Sequence, residues 1–158
     1  MYDGFLIREF RFADLPDIVE IEDESFSDPW KREVFIDLLG STELIFFVAE
    51  QRKKVVGYVA GEVERVSCRR PHSESGKKGH VMNIAVRDLF RRFGIGTRLM
   101  MTLEDSFRNQ GVKRVELEVR STNVSAQRLY RKLGYVTKSK IPLYYGNEDA
   151  IVMEKTLG

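Results

Sequence analysis

A chain of 158 residues has the size of one domain, long enough to bury a core, and a net charge of +2 from 26 basic and 24 acidic residues makes no case for binding nucleic acid through bulk charge. Its single cysteine, Cys68, excludes an internal disulfide. With no 18-residue apolar run and no signal-type N-terminus, the expectation is a soluble cytoplasmic protein with no membrane segment, spanning residues 1–158 as a single domain.

Residues 5–10 alternate and predict a first strand, after which Asp14-Leu15-Pro16 opens a helix that turns Leu15, Ile18, Ile21 and Phe26 inward. A second short helix is predicted over 31–39, stopped by Gly40-Ser41. Residues 43–50 and 55–64 read as an antiparallel hairpin around the polar turn 51–54. The stretch 66–78, with Pro71, Ser73, Ser75 and Gly76, reads as a loop, and a structureless loop of that length tends to be functional or mobile. Residues 81–86 are β-rich, and Ile95, Leu99, Leu103 and Phe107 recur at helical spacing up to Gln110-Gly111. A strand over 112–119 puts Val115, Leu117 and Val119 on one face and Glu116 and Glu118 on the other. The helix 123–133 turns Ala126, Leu129, Tyr130 and Leu133 inward and ends at Gly134, and strands over 135–140 and 150–156 flank a loop at 142–147.

The stretch between the central strand and its helix, R-R-F-G-I-G at 91–96, has the makings of a phosphate site. Gly94 and Gly96 let an anion approach the backbone, the helix start adds partial positive charge, and Arg91 and Arg92 add two formal charges. Basic residues cluster on both sides, with Arg65, Arg69, Arg70, Lys77 and Lys78 before the strand and Arg87, Arg91, Arg92 and Arg98 after it, although such runs are more often solvated faces. A Walker A loop is absent because no lysine follows Gly96, and a dinucleotide fingerprint is absent because position 99 is Leu99. An ordinary strand-turn-helix with glycines chosen for the turn stays open on these residues alone.

R-x-x-G-x-G after the strand N-I-A-V resembles the pyrophosphate loop of the GNAT superfamily of acyl-CoA-dependent N-acetyltransferases. Further blocks extend the resemblance over nearly the whole chain: L-E-V-R-S-T-N-V-S-A-Q-R-L-Y-R-K-L-G-Y at 117–135, P-L-Y-Y-G-N-E-D-A-I-V-M at 142–153, F-S-D-P-W at 26–30 and G-H-V-M-N-I-A-V at 79–86. They narrow it to protein N-terminal acetyltransferases, such as the archaeal catalytic subunit and the bacterial ribosomal-protein alanine N-acetyltransferase. The resemblance implies an α/β GNAT fold: a mixed, mostly antiparallel sheet of about seven strands with a splayed pair, flanked by about four helices.

It also implies roles. Ile84, Ala85 and Val86 would hold the pantetheine arm and acetyl carbonyl of acetyl-CoA, and the amides of Arg92, Phe93, Gly94, Ile95, Gly96 and Thr97, beside Arg91, would take its diphosphate. Asn123 matches a pantetheine ligand, with a helix N-cap equally open, and Lys132 is a candidate for the nucleotide end. Tyr130 is the implied general acid near the thioester sulfur, although its apolar helix face also fits a core tyrosine. Glu118 and His80 fall where relatives place groups that act on the amine through water; a closed zinc site is not expected with one cysteine and two histidines, and no metal is assigned. Asp28 and Trp30 on one loop and Tyr144 and Tyr145 on another match the loops that clamp a peptide N-terminus, Trp30 being equally able to staple the second helix to the core. The implied activity is transfer of acetyl from acetyl-CoA to a free protein N-terminus by direct attack, since the residues matched to roles include no nucleophile and Cys68 lies away from every matched block. The rivals are a GNAT enzyme acting on lysine or a small-molecule amine, and a non-catalytic acyl-CoA-binding subunit. Protein or peptide N-termini are the expected partners, with neither nucleic acid nor membrane.

Overall fold

In this computed structural model, which describes residues 4–66 and 76–158, the elements follow in the order β1 (Leu6–Glu9), α1 (Leu15–Ser25), α2 (Arg32–Leu39), β2 (Leu44–Gln51), β3 (Lys54–Val66), β4 (Gly76–Val86), α3 (Ile95–Asn109), β5 (Arg114–Arg120), α4 (Val124–Lys132), β6 (Val136–Ile141) and β7 (Ala150–Thr156). The seven strands form a mixed sheet in the order β1-β2-β3-β4-β5-β7-β6. β4 and β5 pair in parallel, whereas β1 with β2, β2 with β3, β5 with β7 and β6 with β7 pair antiparallel. The β4–β5 ladder runs from Lys78↔Arg114 to Val81↔Leu117. Among the described residues no helix is long and apolar enough to cross a membrane.

Two compact units make up the chain, Met1–Glu62 with Met82–Ser106, and Val63–Val81 with Phe107–Gly158. In the first, Leu15, Ile18 and Ile21 recur at helical spacing on α1 and pack with Phe35 of α2, Phe46 and Val48 of β2, and Tyr58 and Ala60 of β3. Phe26, expected on the helix, is its extended C-cap and packs against this core from outside. β3 is buried along residues 55–61, so both its faces are covered: Tyr58 meets Phe35 and Phe46, with ring centroids at 5.9 and 5.7 Å, while a Cβ built on Gly57 would lie 3.4 Å from Leu99 of α3. The β2–β3 turn is two residues long, and Arg52 and Lys53 both adopt positive φ (49° and 63°), the geometry that matches the twist of a tight hairpin. Asp14 fixes the approach to α1, accepting from Arg11 N at 2.7 Å and from both Arg8 terminal nitrogens at 2.8 Å.

In the second unit, Val115, Leu117 and Val119 are buried and Glu116 and Glu118 lie on the opposite, polar face of β5. Gly79 of β4 is crowded by Phe107, whose ring a Cβ would meet at 2.9 Å. β6 is the outermost strand and all six of its residues are exposed. The expected loop at 66–78 is shorter at both ends, because β3 reaches Val66 and β4 starts at Gly76; cross-strand pairing such as Lys78 Nζ to Glu64 Oε2 at 3.3 Å turns a charged stretch into strand. Residues 67–75, with Cys68, Pro71, Ser73 and Ser75, lie outside the described residues.

Candidate active site

The predicted phosphate loop has the backbone that its sequence calls for. After β4 a short 3-10 turn at Asp88–Phe90 leads to Arg92 and Gly94, both left-handed (φ 66° and 81°), and α3 starts at Ile95 with Arg98 N bonded to Gly94 O at 3.0 Å. Ile95 and Leu99 are buried and anchor the helix start, whose first amides have no intrahelical acceptor. No acid stands in the first turn of α3, and a Cβ built on Gly94 would meet nothing within 4 Å, so the backbone here faces open space and the glycine serves the positive φ. Arg91 and Arg87 are spent on the protein itself. Arg91 bonds Asp88 at 2.7 Å and Val86 O at 2.9 Å. Arg87, only 6% exposed, bonds Val55 O and ion-pairs with Glu20, Glu24 and Asp17 at 2.6, 3.1 and 3.5 Å, pinning the root of the loop to α1. The basic run read from sequence therefore presents less free charge than its count. Of the strand residues expected to hold acetyl, Ala85 is buried in the core and Ile84 and Val86 are half-buried.

In the same unit Asp28 is exposed and Trp30 half-buried, its ring 5.6 Å from that of Phe35, so Trp30 does staple α2. Its backbone N–H donates to Glu22 Oε1 at 3.0 Å. Glu22, 1% exposed, also accepts from the Tyr58 hydroxyl and from Asn83 Nδ2, at 3.1 Å to Oε1 and 2.9 Å to Oε2. Burial raises the Glu22 carboxyl above its usual range, with the bonds from Tyr58, Trp30 and Asn83 pulling the other way. None of Glu22, Tyr58 and Asn83 was expected at the site. The available signal was a carboxylate at position 22, four residues after Ile18 on an apolar helix face.

The second unit gathers the proton-handling candidates. His80 Nε2 lies 2.6 Å from Glu118 Oε2, and His80 Nδ1 lies 3.7 Å from Glu64 Oε1, so the imidazole sits between two carboxylates, all three side chains partly exposed. β4 and β5 bring this about: His80 is in register with Glu116, and Glu118 follows two residues on, on the same face. Lys78 Nζ, 3.3 Å from Glu64 and 3.5 Å from Glu116, already supplies a cation to these carboxylates. Tyr144 and Tyr145 pack edge to face at 4.9 Å, and the Arg120 guanidinium lies 4.2 Å from the Tyr145 ring centre. Burial pushes the Tyr145 hydroxyl up to about 12, with Tyr144 and Glu118 adding to it, and pushes Tyr144 up with help from Glu118. Tyr130 is raised by burial and then by Tyr145. His80, Glu118, Tyr130, Tyr144 and Tyr145 thus form one neighbourhood. The Tyr144–Tyr145 loop is held by Glu148, which accepts from Thr122 N at 2.8 Å and from Arg120 at 3.3 Å, and by Asp149, which accepts from Leu143 N at 2.9 Å.

Asn123 is the N-cap of α4: its Oδ1 accepts from Ala126 N at 3.1 Å, which leaves Nδ2 as the atom for any further contact. Lys132 is exposed in the last turn of the same helix.

The profile of the acetyltransferase (GNAT) family matches residues 15–135. The chain is similar to an uncharacterised N-acetyltransferase of Methanocaldococcus jannaschii, with 36% identity over 152 residues that cover 95% of this chain and 90% of the relative. An N-alpha-acetyltransferase of Sulfurisphaera tokodaii is 35% identical over 97% of this chain and 93% of its own length. Among solved structures, the ribosomal-protein-S18-alanine N-acetyltransferase of Escherichia coli superposes with a TM-score of 0.82 at 26% identity, covering 98% of this chain and 95% of the other.

Proposed function

We propose, on the premise that this chain belongs to the GNAT acetyltransferase family of acetyl-CoA-dependent transferases, that it acetylates the free α-amino group of protein or peptide N-termini. The family match, residues 15–135, includes residues of both units. The observation that carries this reading is the 2.6 Å contact of His80 with Glu118, whose charge acts on Tyr144 and Tyr145. The names of the relatives, an archaeal N-alpha-acetyltransferase and an alanine N-acetyltransferase of a ribosomal protein, support the choice of amine.

The loop at 91–97 suits a diphosphate on physical grounds, with two left-handed residues, open space over Gly94 and an acid-free helix start. The amides of Arg92 to Thr97 would hold the diphosphate, Arg92 adding charge, and Ile84, Ala85 and Val86 would hold the arm that carries the acetyl group. Acetyl-CoA supplies the activated acetyl thioester. Glu118, through water, takes the proton that the attacking ammonium must lose, and His80 shares that proton across their hydrogen bond. Tyr130, whose hydroxyl burial keeps protonated, donates toward the departing sulfur as general acid. The amine nitrogen forms the new bond to the carbonyl carbon as the carbon–sulfur bond breaks, without an acyl-enzyme, and the second proton that the nitrogen then sheds restores Tyr130 through solvent.

An α-amino group with a pKa of ~7.7 to 8.0 is about one-tenth neutral at pH 7, whereas lysine near ~10.4 needs a further ~3.4 kcal/mol to lose its proton. A water-relayed carboxylate and imidazole suit the easier amine. Entrance contacts from Asp28, Trp30, Tyr144 and Tyr145 would then select peptide backbones. Mass spectrometry of peptides incubated with acetyl-CoA tests this: a free N-terminus should be acetylated at least about tenfold faster than an internal lysine in the same peptide with a blocked N-terminus. Faster reaction at lysine would leave the family alone standing, and acetyl-CoA binding without turnover on any amine would point to a non-catalytic subunit.

A further inference from the structure

We infer that Glu22 is a positioning residue whose buried carboxylate ties the substrate-entrance loop at Trp30 to the β4 segment ahead of Ile84, through Tyr58 and Asn83. This rests on the proposed roles of those two segments. The contacts themselves lie within one unit of the structure.

Packing gives no reason for a carboxylate at this place. Position 22 lies on the face of α1 that carries Ile18 and Ile21, and it is 1% exposed. An aliphatic side chain would fill such a place without the cost of burying a charge. Among the described residues no lysine or arginine pairs with Glu22; its partners are a phenol, a primary amide and a backbone N–H. What distinguishes the carboxylate is that it accepts from several donors at once. Trp30 N belongs to the loop after α1, the Tyr58 hydroxyl to β3, and Asn83 Nδ2 to β4, and these residues stand 8, 36 and 61 positions away in sequence.

Two of the three donors are tied to a segment with a proposed role. Trp30 N sits in the loop with Asp28. Asn83 also accepts from Ile84 N through Oδ1 at 3.2 Å, so one amide links the Glu22 carboxylate to the first backbone N–H of the acetyl-holding segment. Tyr58 closes the set, since Asn83 Nδ2 also lies 2.9 Å from its hydroxyl oxygen. A hydrophobic replacement would take the Glu22 acceptor from all three donors at once, leaving Asn83 Nδ2 only the Tyr58 oxygen. Glutamine would keep one oxygen but turn an N–H toward groups that already donate.

Trp30 is the only tryptophan of the chain, so intrinsic fluorescence reports on the entrance loop without reference to activity. In Glu22→Gln, Trp30 emission should move to the red and iodide quenching should rise. The peptide KM should increase about tenfold with kcat changed less, the size expected for losing one hydrogen bond to a charged group. Asp14→Asn, a buried acid at the other end of α1 with no contact to this network, is the control: it should lower the melting temperature and leave Trp30 emission unmoved. If Glu22→Gln fails to fold, Asn83→Ala, which removes one donor to Glu22 together with the acceptor of Ile84 N, should give the same red shift. Unchanged emission and quenching in a folded Glu22→Gln or Asn83→Ala protein would overturn the inference. So would a fall in kcat at constant peptide KM. The fluorescence arm decides on Glu22 even if the wild-type protein acetylates some other amine, so the two readings fail separately.

Discussion

Gly57→Ala adds one methyl group at a place where the structure has no room for it. A Cβ at this position would lie 3.0 Å from the carbonyl oxygen of Ala85, 3.2 Å from Val86 Cγ2 and 3.4 Å from Leu99 Cδ1. Ordinary carbon contacts settle near ~3.5 Å or beyond, so β4 would have to retreat from β3 by roughly half an ångström. Two of the three neighbours leave little slack, one being backbone and another a fully buried leucine. Overpacking of this kind costs about 1–3 kcal/mol, or from about 2 to 12 °C in melting temperature for a domain of this size. The displaced carbonyl belongs to the segment proposed to hold the acetyl group. Misplacement by ~1 Å can cost ~10² in rate, so half of that should lower kcat several-fold. Two glycines serve as controls in the same thermal melts and steady-state assays. Gly76→Ala meets nothing within 4 Å and should stay within about 0.5 kcal/mol of wild type. Gly40→Ala, right-handed with its nearest contact at an ordinary 3.4 Å, should gain about 0.4–1 kcal/mol. A Gly57→Ala protein that melts at or above wild type, or keeps full kcat, would refute the argument.

Glu118→Gln should keep the fold and lose ~10² to 10⁴ in kcat, measured by steady-state kinetics on a free N-terminal peptide; an unaltered pH–rate profile in both Glu118→Gln and His80→Ala would remove the pair from the chemistry. Gly94→Val places a β-branched residue at φ 81° over the diphosphate cradle, so calorimetry should show acetyl-CoA binding weakened or lost while circular dichroism shows α3 intact. Asp14→Asn should cost about 1.5–3 kcal/mol at pH 7 by chemical denaturation. Burial alone would raise the Asp14 carboxyl, but the bonds from Arg8 and the Arg11 amide outweigh it and hold the group below its ordinary 3.8. Its stabilisation is therefore complete above that value and lost as the pH falls below it, so the gap between Asp14→Asn and wild type should close in acid.

Local periodicity made most of the elements legible. Ile95, Leu99, Leu103 and Phe107 mark the buried stripe of α3, and the alternation of Val115, Leu117 and Val119 against Glu116 and Glu118 separates the two faces of β5 as found. The stretch before the central strand misled because Lys77 and Lys78 read as the end of a loop, whereas β4 already runs through them and cross-strand pairing gives Lys78 partners on Glu64 and Glu116. Partnerships between distant residues were legible only through resemblance or not at all. His80 and Glu118 were matched by motif, 38 positions apart, but that they touch is a product of register. Arg87 counted as free charge until three carboxylates of α1 were found around it. Glu22 and Tyr58 belong to no motif and Asn83 sits in the matched block at 79–86 without an implied role, so only the close approach of α1, β3 and β4 joins them.

The outermost strand, β6, carries V-T-K-S-K-I with every side chain in solvent and one unpaired backbone edge, a template on which another chain could add a strand. The register shift between Thr137 and Ser139 bends that edge. Lys138, held by Glu116 and Glu154, and Lys140, held by Asp149, place cations along it where a neighbouring strand would otherwise lie flat. Neutralising both lysines with valine would leave six uncharged, β-favouring residues on an open border, the composition that drives cross-β stacking. Replacing both lysines is therefore expected to promote self-association at high concentration, which light scattering would show, although neither side chain takes part in the proposed chemistry.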